Sequence, residues 1–171
     1  MPTRREFLLA CSVGLWPTLG RGADPTAAGV LVPHHHASLW RGLLFGEKEA
    51  KHTAKLLGRD VSLVERKQPL TIYGPIVTIN QTFRLSPNVK GKVAWHPKLT
   101  KFGAGELNER FARETKHEMD EQAWLGWVAV KIVSEAMLRG REVGKIKVDG
   151  HKGVPLYFDA SGRLVQPLYD A

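Results

Sequence analysis

The chain has 171 residues, 43% hydrophobic and 25% charged, the balance of an ordinary soluble globule with one domain. No apolar run reaches the ~18–20 residues that a membrane-spanning helix needs. The net charge is +8, but it is not gathered into a basic stripe interleaved with aromatics, so nucleic acid is not an expected partner.

Residues Thr3-Arg4-Arg5-Glu6-Phe7-Leu8 follow the twin-arginine export pattern Ser/Thr-Arg-Arg-x-Phe-Leu. An apolar stretch from 7 to 19, broken by Pro17, and then Gly20, Arg21, Gly22 and Ala23 complete the order of a signal peptide. The expected organisation is a signal over 1–23 and one domain over 24–171, folded before export and delivered to the periplasm. Removing the signal takes away Arg4, Arg5, Arg21 and Glu6 and leaves +6. Leu8-Leu9-Ala10-Cys11 looks like a lipobox, but too few apolar residues precede the cysteine, so neither lipidation nor stable membrane insertion is expected. Cys11 is the only cysteine, so the mature domain has no disulfide and no thiolate chemistry.

Beyond the signal, 28–32 reads as a short buried strand, followed by a loop with His34, His35 and His36. Ser38 is the expected N-cap of a helix over 39–57, with Leu39, Leu43, Ala50, Ala54 and Leu57 on one face and Gly58 as its stop. A second strand follows over 61–64. Strand, helix and strand in this span predict a parallel βαβ unit, with a ligand cleft beyond the strand ends at 33–38. Short strands are expected at 70–73, 82–85 and 93–95, and a loop at 86–92. Residues 104–115 form an amphipathic helix with Ala104, Leu107 and Phe111 inward. Asp120 caps a helix over 121–139 that is apolar nearly all round, hence packed on both sides, and Gly140 ends it. Asp159-Ala160-Ser161-Gly162 marks the turn of a closing hairpin.

Read together, the segments resemble the periplasmic solute-binding proteins of branched-chain amino-acid and amide ABC transporters, and most nearly a subgroup associated with quinone-dependent alcohol oxidation. Gly29-Val30-Leu31-Val32-Pro33 and Gly58-Arg59-Asp60-Val61-Ser62-Leu63-Val64 are similar to that family's first two strands. Ile72-Tyr73-Gly74-Pro75 and Thr82-Phe83-Arg84-Leu85-Ser86-Pro87 resemble later segments. Trp95-His96-Pro97, Phe102-Gly103-Ala104, Ala123-Trp124 and Lys152-Gly153-x-Pro155-Leu156-x-Phe158-Asp159 complete the order. Family members are markedly longer and close two lobes on a solute; most of one lobe has no counterpart here.

The resemblance implies an α/β fold, a small mostly parallel sheet flanked by helices, like one lobe of a type I periplasmic binding protein. It implies binding of an amino acid or small organic solute for an ABC transporter permease, without catalysis or cofactor. Its ligand positions fall on Ser38 and Thr78, beside the loop of His34, His35 and His36. The exposed edge left by the missing lobe could pair two copies as a homodimer. Two other readings stand beside it. One is a metal- or redox-associated accessory protein, suggested by the histidine triplet. The other is a shortened relative that serves as an interaction module. His96 reads as a structural loop residue, and Trp124 and Trp127 as core. Catalytic motifs of the G-x-S-x-G, H-E-x-x-H and Walker kinds are absent from the sequence.

Overall fold

The computed structural model of the chain describes residues 26–30, 37–65, 78–79 and 82–171. The export signal, the histidine loop and the strand expected at 70–73 lie outside the described residues.

Two long helices form the centre. Helix α1 covers Ala37–Leu56 and helix α3 covers Glu121–Arg139, with the shorter α2, Ala104–Thr115, braced against α1. No helix among the described residues is long and apolar enough to cross a membrane. The termini of α3 fall where its residues dictate. Asp120 accepts the Ala123 N–H at 2.8 Å, and Gly140 closes the helix in the left-handed conformation. The all-round apolar surface of α3 is covered on both sides. One side meets α1, and on the other Trp95 stacks on Trp124 with ring centroids 5.5 Å apart.

Helices α1 and α3 run side by side in the same direction, and they approach backbone to backbone. A Cβ on Gly42 would overlap the Ala123 carbonyl, and one on Gly126 would overlap the Leu39 carbonyl. Glycine costs helix stability in isolation, but here it removes the side-chain atoms that would collide with the facing backbone. Both ends of the pair are tied. Ser38 Oγ donates to Asp120 Oδ1 at 2.6 Å, and the Arg59 guanidinium donates to the Leu138 carbonyl.

Strands β1 (Thr26–Val30) and β2 (Val61–Glu65) pair in parallel around α1, in the register Thr26↔Val61 to Val30↔Glu65. The expected mostly parallel sheet, and with it the type I lobe, is nevertheless contradicted. No third described strand joins that pair. Strands β3 (Thr78–Ile79) and β4 (Phe83–Arg84) are antiparallel, as are β5 (Lys92–Val93) and β9 (Tyr169–Asp170). So is the three-stranded sheet of β6 (Val148–Asp149), β7 (Pro155–Phe158) and β8 (Leu164–Val165). The reason is geometric. A parallel pair needs a crossover of a dozen residues or more, and the late strands of two to four residues are joined mostly by tight turns. Residues 28–64 and 93–139 do lie together, but helix on helix through α1 and α3 rather than as faces of a common sheet.

The closing hairpin forms around Asp159, whose Oδ1 accepts from the Ser161 N–H, the Ser161 hydroxyl and the Arg163 N–H at 2.6–3.0 Å. Those hydrogen bonds to the charged form, the Ser161 hydroxyl foremost, lower the Asp159 carboxyl below its ordinary range. Lys152 clamps the hairpin to the core. It is buried, and its ammonium donates to Gln166 Oε1 at 2.7 Å and to the Pro167 carbonyl at 3.0 Å. It also lies 4.1 Å from the Trp124 ring centroid, a cation–π contact. Gln166 in turn donates to the Leu85 carbonyl at 2.8 Å.

Gly42→Ala should destabilise the fold by about 2–4 kcal/mol, more than the usual overpacking cost, because backbone rather than a side chain must yield; denaturant unfolding measures it. Burial pulls the Lys152 ammonium down from 10.5 to about 7, with the Glu121 charge opposing. The unfolded chain therefore holds this proton over a pH range in which the folded chain has lost it, so stability rises between about pH 7 and about pH 10. Unfolding midpoints across that window should climb in the native chain, and Lys152→Met should flatten the climb.

Candidate functional site

Three helices leave a cleft between them. On α1 the residues Phe45, Glu49 and His52 recur at the spacing of one helical face, as do Trp127, Lys131, Ser134 and Leu138 on α3. Arg110, Arg113 and Glu114 close the cleft from α2. Its volume is about 680 Å³, within the range that holds a small organic molecule.

Glu49 organises the floor. Its Oε2 accepts the Trp127 indole N–H at 2.7 Å, and its Oε1 accepts Arg110 Nε at 3.2 Å. Trp127 is almost fully buried, 1% exposed, so this hydrogen bond satisfies an N–H that water cannot reach. Phe45 and Phe111 meet edge to face beside it, 5.4 Å between centroids. Behind Trp127 lies His151, with ring centroids 5.6 Å apart. Burial, chiefly, lowers the His151 imidazole below 6.5; Asp149 opposes, and the nearby Arg110 and Lys131 add to the lowering.

The walls carry charge. Lys48 pairs with Glu114 at 2.7 Å, and Arg139 with Glu135 at 2.5 Å. Lys131 stands 3.9 Å from the other oxygen of Glu135 and 5.6 Å from the Trp127 ring centroid. Leu57 and Leu138 add an apolar margin at the C-terminal ends of α1 and α3.

Among the described residues that line this cleft, none is a position expected from sequence. His34, His35 and His36 lie outside the described residues. Ser38 is inside α1, which begins one residue earlier at Ala37, and its hydroxyl donates to Asp120 instead of capping its own helix. Thr78 sits in β3 opposite Arg84, and its side chain is outside the description. Among the described residues, no group of three or more His, Cys, Asp or Glu is placed to hold a metal ion. His96 forms a turn, its Nδ1 accepting the Lys98 N–H at 3.1 Å. The residues that sequence reasoning missed are Glu49, Arg110, Arg113 and Lys131. Their signal was the four-residue step from Trp127 to Lys131 and the coincidence of a glutamate with a buried indole.

Comparison with protein families, curated proteins and solved structures finds no match to this chain.

Glu49→Leu removes the acceptor of a buried indole N–H and should cost about 1–3 kcal/mol. Glu49→Gln keeps an acceptor oxygen and should cost less; chemical denaturation of the two variants, with Trp fluorescence as the probe, measures the difference.

Proposed function

We propose that the chain is exported by the twin-arginine route and binds a small organic solute in the α1–α2–α3 cleft, as the periplasmic binding component of an ABC importer. The observation that carries this reading is the cleft itself. It has the volume of a small-molecule site, a buried aromatic floor and polar groups fixed by one another. The Arg4-Arg5 pattern supports export, and the order of segments shared with solute-binding proteins of amino-acid and amide importers supports the transport role. The site proposed is the cleft between the helices. No second lobe is invoked, so affinity rests on walls already in place rather than on hinge closure.

Binding is tested on the protein purified from the periplasmic fraction, by thermal shift against amino acids and short organic acids. A ligand present at 100 times its Kd adds about 2.7 kcal/mol of stability, so at least one compound at millimolar concentration should raise the melting temperature. Thr53→Trp, at an exposed cleft position, should abolish that rise and leave the melting temperature of the free protein unchanged. A flat response across the panel overturns the solute reading. Replacing Arg4 and Arg5 by lysine should hold the protein in the cytoplasm, read by cell fractionation; unaltered export overturns the twin-arginine assignment.

A further inference from the structure

Resting on the solute-binding reading, we infer that the cleft selects an organic anion with an apolar body, a carboxylic acid rather than a zwitterionic amino acid. Which charges already have partners decides the preference. Three carboxylates line the cleft, and each is engaged. Glu49 holds Trp127 and Arg110 at 2.7 and 3.2 Å, Glu114 holds Lys48 at 2.7 Å, and Glu135 holds Arg139 at 2.5 Å. An incoming ammonium group would meet carboxylates whose charge a neighbouring cation already balances.

The cations are in a different position. Lys48, Arg110, Arg113, Lys131 and Arg139 all line the cleft, against only those three carboxylates. Arg113 makes no side-chain hydrogen bond or ion pair among the described residues; the Lys116 ammonium donates to its backbone carbonyl. Lys131 has its nearest carboxylate oxygen at 3.9 Å, on a glutamate whose other oxygen Arg139 grips. Two cations are thus free or loosely paired, Arg113 on α2 and Lys131 on α3, and both line one space.

An anion between them offsets the mutual repulsion of the clustered cations. In a partly dry cleft that attraction is several-fold stronger than in bulk water. Leu57 and Leu138 give the rest of the solute an apolar surface at the margin. A phenolic or alcoholic solute of the same shape would gain only the apolar part.

The test uses four six-carbon probes that share an aliphatic body and differ in head group and charge: hexanoate, norleucine, hexylamine and 1-hexanol. Their affinities for the full purified protein are measured by calorimetry. Hexanoate should bind about tenfold or more tighter than norleucine, a difference of about 1.4 kcal/mol, with hexylamine weakest. Arg113→Gln and Lys131→Met should each weaken hexanoate about tenfold and leave 1-hexanol unchanged. Arg113 is exposed on α2, so its variant folds independently of the outcome. Norleucine or hexylamine binding as well as hexanoate overturns the anion assignment while the solute reading stands. Hexanoate affinity untouched in both variants overturns the assignment of Arg113 and Lys131. Binding by none of the four overturns the cleft as a solute site, and this inference with it.

Discussion

The close approach of α1 and α3 governs the rest of the molecule. Gly42 and Gly126 let each helix rest on a carbonyl of the other, Ala123 against α1 and Leu39 against α3. One turn further on, Gly46 keeps the contact close, since a Cβ there would stand 3.0 Å from the Val130 side chain and 3.1 Å from the Trp127 carbonyl. Contacts between backbones at this range add weak C–H···O attractions. Their larger effect is on register. With Ser38 tied to Asp120 at one end and Arg59 to the Leu138 carbonyl at the other, α1 can neither slide nor roll on α3. Glu49 then arrives beside the Trp127 indole one turn beyond the contact. The polar floor of the cleft is therefore a consequence of glycines, two of which, Gly42 and Gly126, are not part of its lining.

That floor answers a cost created by the packing. Burying Trp127 takes an N–H out of water, and a carboxylate is the strongest neutralising acceptor available to it. Glu49 is only partly buried, so it keeps some hydration and also engages Arg110 from α2. One side chain thus joins three helices. Its charge is spent inside the protein, and so are those of Glu114 and Glu135. The positive character of the cleft is what remains after structural pairing, and that residue of unpaired charge carries the ligand assignment.

Sequence patterning served the helices well and the sheet badly. Helix α3 was legible because its caps are explicit and its apolar run has no polar face to mislead. Helix α1 was legible as an element, yet its contact was not, because a glycine within a helix reads as weakness until the neighbouring helix is seen. Leu57 was expected inward; α1 instead ends at Leu56, and the turn through Gly58 leaves Leu57 60% exposed. The first parallel pair followed from a strand–helix–strand rhythm, as β1 and β2 show. Nothing local could say which partner each later strand would take, since a strand of two residues carries almost no alternation. The larger sheet came from resemblance, and no third described strand joins the first pair. The helix-walled cleft went unanticipated for a related reason. A topological rule points to loops beyond strand ends, whereas this cleft is walled by helices. Charged residues on a helix read as a solvated face, and only the stripe from Trp127 through Lys131 to Glu135 hinted otherwise.

The C-terminal hairpin has a part in the cleft although it lies on the far side of α3. Three consecutive residues of one turn engage the two tryptophans of that helix. The Gly150 carbonyl accepts the Trp124 indole N–H at 3.3 Å, His151 packs against Trp127, and the Lys152 ammonium lies over the Trp124 ring. Trp127 is consequently held from both sides, by Glu49 in front and His151 behind. A neutral imidazole suits that position, because burial lowers its proton affinity and Arg110 and Lys131 add to the lowering. The hairpin fixes the indole, the indole orients Glu49, and Glu49 fixes Arg110. Rigidity in the cleft floor is thus built from the chain's last segment forward, and a solute meets walls whose ordering cost was met when the hairpin closed.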